Sequence, residues 1–111
     1  MFFTYTQNNS GGDFIFKENK VSHFVIVEAD SLDEANEIAQ DVGVYFGGVS
    51  IQIDCSCCGD RWSNYFITPT EDPEIYEEPA ESWDARKYMG IGVPEVIIHY
   101  KSGEIASLHY Q

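Results

Sequence analysis

Hydrophobic and polar positions divide the chain into short extended pieces around one helix. Residues 2–7 are aromatic and β-branched, side chains that suit a pleated surface. Asn8, Asn9, Ser10, Gly11 and Gly12 follow, a cluster that favours reversal and positive φ. Residues 13–17 then read as a second strand, so the chain is expected to open with a hairpin. In residues 21–29 the run Phe24, Val25, Ile26, Val27 has no polar break, which predicts a strand covered on both faces.

The helix is signalled by several features at once. Ser31 and Glu34 have capping-box spacing, and the acids of the first turn suit the positive end of the helix dipole. Leu32, Ala35, Ile38, Ala39 and Val42 share one stripe, whereas Asp33, Glu34, Glu37 and Asp41 lie away from it. Gly43 is the expected stop.

Ile51, Gln52 and Ile53 alternate like a strand. With residues 64–68 they predict a second hairpin whose tip is elaborate. Residues 69–82 place Pro69, Pro73 and Pro79 among Glu71, Asp72, Glu74, Glu77, Glu78 and Glu81, an acidic surface loop rather than core. Residues 82–89 can make a helical turn or two before Gly90. Residues 95–100 and 105–110 predict a closing hairpin. A two-residue turn at Ser102 and Gly103 would set Lys101 opposite Glu104 and send His99 and His109 to opposite faces. The expected fold class is α+β: a single domain over residues 1–111, with an antiparallel sheet of hairpins and one amphipathic helix packed across it.

Charge narrows the function classes. The 111 residues hold 19 acids against six Lys and Arg, a net charge of −13. Such a chain repels nucleic-acid backbones and anionic membranes, and suits a basic protein surface instead. Three cysteines within four positions do not resemble an extracellular disulfide framework. With no basic leader and no apolar run of membrane-spanning length, the expectation is a reduced cytoplasmic protein.

Candidate chemistry is concentrated in residues 54–62, which hold all three cysteines, one of two arginines and one of two tryptophans. Cys55, Cys57 and Cys58 could ligate zinc, but a structural site wants four ligands, and His23 or Asp54 would have to complete it. A thiol lowered by Arg61 could act as a nucleophile, although the acidic surroundings oppose that and no histidine is near in sequence. For binding, Arg61 suits bidentate contact with phosphate or carboxylate and Trp62 offers a stacking face. Asp60, Tyr45 and the turn amides around Asn8, Asn9 and Ser10 could complete the site. The alternative is that Arg61 and Trp62 knit the loop to the sheet, with the cysteines as small buried hydrophobes.

The Asn8 to Gly12 cluster, the 27–36 approach to the helix, residues 45–49 (Tyr45, Phe46, Gly47, Gly48, Val49) and the run Asp54 to Trp62 together resemble a family of small acidic bacteriophage proteins with no assigned activity. The resemblance spans residues 1–66 and recurs weakly in the closing hairpin. It implies an accessory protein made in the cytoplasm of an infected bacterium, where such proteins often counter host defence. The expected function is therefore non-enzymatic binding without a cofactor, first as sequestration of a nucleotide-derived immune signal. The alternative is an acidic inhibitor of a host defence or nucleic-acid-binding protein; a zinc-stabilised interaction module is third. A homo-oligomer could complete a pocket that one chain lacks.

Overall fold

The computed structural model describes residues 1–7, 20–54, 59–62, 67–75, 78–79 and 95–109. In chain order these form β1 (Phe2–Thr6), β2 (Phe24–Glu28), α1 (Leu32–Val42), β3 (Glu74–Ile75), β4 (Glu78–Pro79), β5 (Glu95–His99) and β6 (Ile105–His109). The main sheet has four strands in the order β1-β2-β5-β6, and β3 and β4 make a separate short antiparallel ladder.

The sheet is mixed, which corrects the expectation of an antiparallel sheet of hairpins. β1 runs antiparallel to β2, with Phe3 opposite Val27 and Tyr5 opposite Val25. β2 and β5 are parallel, Phe24 facing Val96 and Ile26 facing Ile98. A parallel neighbour needs a long crossover, and the chain between β2 and β5, α1 included, provides it. The unbroken apolar run of β2 follows from this central place, because both of its faces are covered. The partner of β1 is thus β2; residues 13–17, expected to pair with it, lie outside the described residues.

Alternation sorts the core into two layers. Phe3, Tyr5, Val25 and Val27 point to the helix side, where they pack with Ala35, Ala39, Val44 and Trp62. Phe2, Phe24, Ile26, Val96 and Ile98 form the other layer, with the Tyr100 ring edge-on to Phe2 at 5.9 Å between centroids. Ser31 caps α1 by accepting from the Glu34 amide at 3.2 Å, and Glu34 reaches back to the Asp30 amide. Gly43, at φ 124°, closes the helix by donating to the Ala39 and Gln40 carbonyls.

Two further expectations change, and the expected surface loop gains described contacts with the sheet. Ile51, Gln52 and Ile53 are a turn rather than a strand, because Gly47 and Gly48 fold the chain back so that their carbonyls accept from Ile51, Ile53 and Asp54. The acidic segment after Pro69 is tied to the sheet: Phe2 and Thr70 exchange backbone hydrogen bonds of 2.8 and 3.0 Å, and Thr4 Oγ1 donates to the Glu74 carbonyl at 2.6 Å. This segment lies along the outer edge of β1 and shields it from strand addition. The closing hairpin exists with a longer turn, His99 pairing with Ile105. Gly103, at φ 98°, donates to the Tyr100 carbonyl, and the Tyr100 amide donates to Glu104. That three-residue loop shifts the ladder by one position and puts positions 99 and 109 on the same face, at opposite ends of the hairpin.

Candidate functional site: a buried clasp at the neck of the cysteine loop

The chain enters the cysteine loop through Asp54 and leaves it through Asp60, Arg61 and Trp62. The Asp54 carboxylate closes the neck, since its Oδ2 accepts from the Arg61 backbone amide at 2.8 Å. Its Oδ1 accepts from the Tyr45 hydroxyl at 2.6 Å and stands 3.5 Å from Arg61 Nε. Arg61 Nε also donates to the Tyr45 oxygen at 3.0 Å, and Nη1 donates to Gln7 Oε1 at 3.0 Å. Gln7 in turn donates from Nε2 to the Ser22 carbonyl. One guanidinium therefore joins the end of β1, the segment before β2, the chain after α1 and both sides of the loop neck.

Burial gives the clasp its weight. Arg61 is 7% exposed, and the Asp54 side chain is fully covered. A buried charge persists only with a partner and satisfied hydrogen bonds, and both are present here. Gly48 makes the approach possible: a Cβ there would stand 1.9 Å from Asp54 Oδ2 and 2.7 Å from the Tyr45 ring. Burial and the bond to Asp54 raise the Tyr45 hydroxyl above its ordinary pKa, against the lowering effect of Arg61. Asp60 adds a second tie, its Oδ1 accepting from the Val49 amide at 2.9 Å.

The expected ligand-binding residues are thus placed in two ways. Arg61, Asp60 and Tyr45 do come together, but as parts of an internal network, with Arg61 directed at Asp54, Tyr45 and Gln7. Trp62 is 1% exposed and belongs to the core beneath α1, so its ring is not a surface stacking face. Its Nε1–H has no acceptor among the described residues. Asn8, Asn9 and Ser10, and the expected metal ligands Cys55, Cys57 and Cys58, lie outside the described residues. Among the described residues no group of three or more His, Cys, Asp and Glu side chains could hold a metal ion.

Gln7 and Gly48 are the clasp members that sequence reasoning missed. The Gly47-Gly48 pair stands in the sequence, but nothing there marks Asp54 as the group that approaches. His99 is a separate case, with Nε2 2.8 Å from the Lys20 carbonyl, a structural contact between the end of β5 and the segment before β2.

The decisive comparison covers nearly the whole chain: a family model described as a domain of unknown function (DUF7296) matches residues 1–110. The chain belongs to that family. No curated protein and no solved structure matches it. For this DUF7296 domain no helix among the described residues is long and apolar enough to cross a membrane.

Proposed function

We propose that the protein is a non-enzymatic bacteriophage accessory protein that works in the host cytoplasm, covering the basic surface of a host defence or nucleic-acid-binding protein. The observation that carries this reading is the balance of exposed charge. Among the described residues Arg61 is enclosed with Asp54, Lys101 is paired with Asp30, and Lys20 is exposed. Asp33, Glu37, Asp41, Glu71, Asp72 and Glu104 remain exposed, in a chain of net charge −13. Such an excess of acids draws basic surfaces and speeds their encounter. The phage setting and the counter-defence role come from the sequence resemblance and are part of the proposal.

Immobilised protein is expected to retain a basic host protein from bacterial lysate at low salt and release it at high salt. Neutralising Glu71, Asp72, Glu74, Glu77 and Glu78 to Gln or Asn weakens retention and flattens its salt dependence. Retention that ignores both salt and these changes would sink the reading.

Capture of a nucleotide-derived signal is the second reading, and it rests on the sequence resemblance. Mass spectrometry of small molecules released by heating protein purified from infected cells tests it. An eluate without nucleotides removes this reading and leaves the first in place.

A further inference from the structure

Ile51 and Ile53 are 58% and 60% exposed, although the fold has apolar layers on both sides of its sheet. Single exposed apolar residues are ordinary on protein surfaces. This pair differs in how it is held. Between them Gln52 has φ 64°, a left-handed conformation that non-glycine residues seldom adopt and that persists only where the surroundings enforce it. The enforcement is visible. Gly47 O accepts from Ile51 N, Val49 O from Gln52 N, and Gly48 O from both Ile53 N and Asp54 N, at 2.9 to 3.3 Å. Asp60 holds the Val49 amide from below, and the buried Asp54–Arg61–Tyr45 clasp anchors the end of the turn.

We infer that Ile51 and Ile53 form a preorganised apolar knob that seats in an apolar pocket, rimmed by Lys and Arg, on the partner protein. The knob rests on the acidic-binding reading above and adds the contact that would set its specificity. Isoleucine is β-branched and restricted at χ1, and the turn backbone is already fixed, so docking orders little that is free beforehand. The basic rim follows from charge complementarity with a chain of net charge −13. A second copy of the chain is a poor occupant, because it carries the same charge.

The test uses the basic protein retained in the low-salt capture, once purified, as the probe. Ile51→Ser with Ile53→Ser is expected to weaken binding at least roughly tenfold, as loss of a central apolar contact does. The salt dependence should stay that of the unchanged chain, because no charge is altered. p-Benzoylphenylalanine at position 53 provides a measurement free of that substitution, and its cross-link should fall in an apolar pocket with a basic rim. Unchanged affinity of the double variant, or a cross-link on a surface without such a pocket, overturns the knob while the acidic reading stands. If no basic protein is retained in a salt-sensitive way, both fall.

Discussion

Arg61–Asp54 and Lys101–Asp30 both join a carboxylate to a cation, and their surroundings make them opposite kinds of interaction. Arg61–Asp54 lies inside, accompanied by Tyr45 and Gln7. Lys101–Asp30 bridges the closing hairpin to the start of α1 across 71 positions, yet its side chains are 50% and 73% exposed. Water competes for every charge in the second pair, and salt screens it. In the first, losing one partner leaves the other charged and enclosed. The buried pair is therefore the better guide to what keeps the loop neck in place.

The largest expected effect comes from breaking the inner pair. Arg61→Ala should destabilise the fold by about 3–5 kcal/mol, because the Asp54 carboxylate and Gln7 Oε1 lose the guanidinium together. At this size that lowers the melting temperature by roughly 10–25 °C. Gly48→Ala acts on the same clasp from the other side, driving a methyl group into the Asp54 carboxylate and the Tyr45 ring, at a cost of about 1–3 kcal/mol. Thermal unfolding followed by circular dichroism reads both. An Arg61→Ala protein melting beside the parent would mean that the guanidinium is not structural, and would return it to the list of ligand-binding candidates.

A middle-sized effect lies in alkaline solution. Burial raises the Tyr5 hydroxyl, which donates to Asn36 Oδ1 at 2.6 Å, and burial with the Asp54 bond raises Tyr45. Above about pH 10 an unfolded tyrosine gives up its proton while these two keep theirs in the fold. The native state then binds more protons than the unfolded state, so stability falls as pH rises from there. What the two hydroxyls contribute is fully present below that value. Tyr5→Phe should flatten the alkaline decline while costing about 1 kcal/mol at neutral pH, since Asn36 Oδ1 loses its donor. A decline equally steep in the variant would assign alkaline unfolding to other groups.

Features set by local chemistry were legible in the sequence, and features set by distant partners were not. The helix could be read because Ser31, Glu34, the apolar stripe and Gly43 all act within α1 itself. The unbroken run at Phe24 to Val27 announced a strand covered on both sides, but its parallel partner lies some seventy residues away and no local signal marks the pairing direction. Ile51, Gln52 and Ile53 carried a strand's alternation, and the two glycines before them overrode it by bending the chain. At the closing hairpin one extra loop residue moved the ladder, a difference that turn composition alone does not settle. In the clasp, the alternative that Arg61 and Trp62 knit the loop to the sheet matches where their side chains lie. Gln7 was out of reach because only the folded chain brings the end of β1 beside residue 61.

The smallest expected effect belongs to the exposed pair, and it sharpens the comparison by its smallness. Lys101 lowers the Asp30 carboxyl below its ordinary pKa, chiefly through their hydrogen bond, and Asp30 raises Lys101 in return. A carboxylate lowered in the fold adds stability above its unfolded pKa and loses it as pH falls through the folded value. The contribution of Asp30 is thus present at neutral pH and disappears in acid below about pH 4. Lys101→Ala removes the pair but leaves the hairpin turn, because the residue 101 backbone amide still donates to Glu28 Oε1 at 3.0 Å. The melting temperature should drop slightly at neutral pH and low salt, and the difference from the parent should vanish both at high salt and in acid. A large, salt-resistant loss would mean that this surface contact anchors the hairpin to α1 as firmly as the buried clasp anchors the loop, and the distinction between the two pairs would collapse.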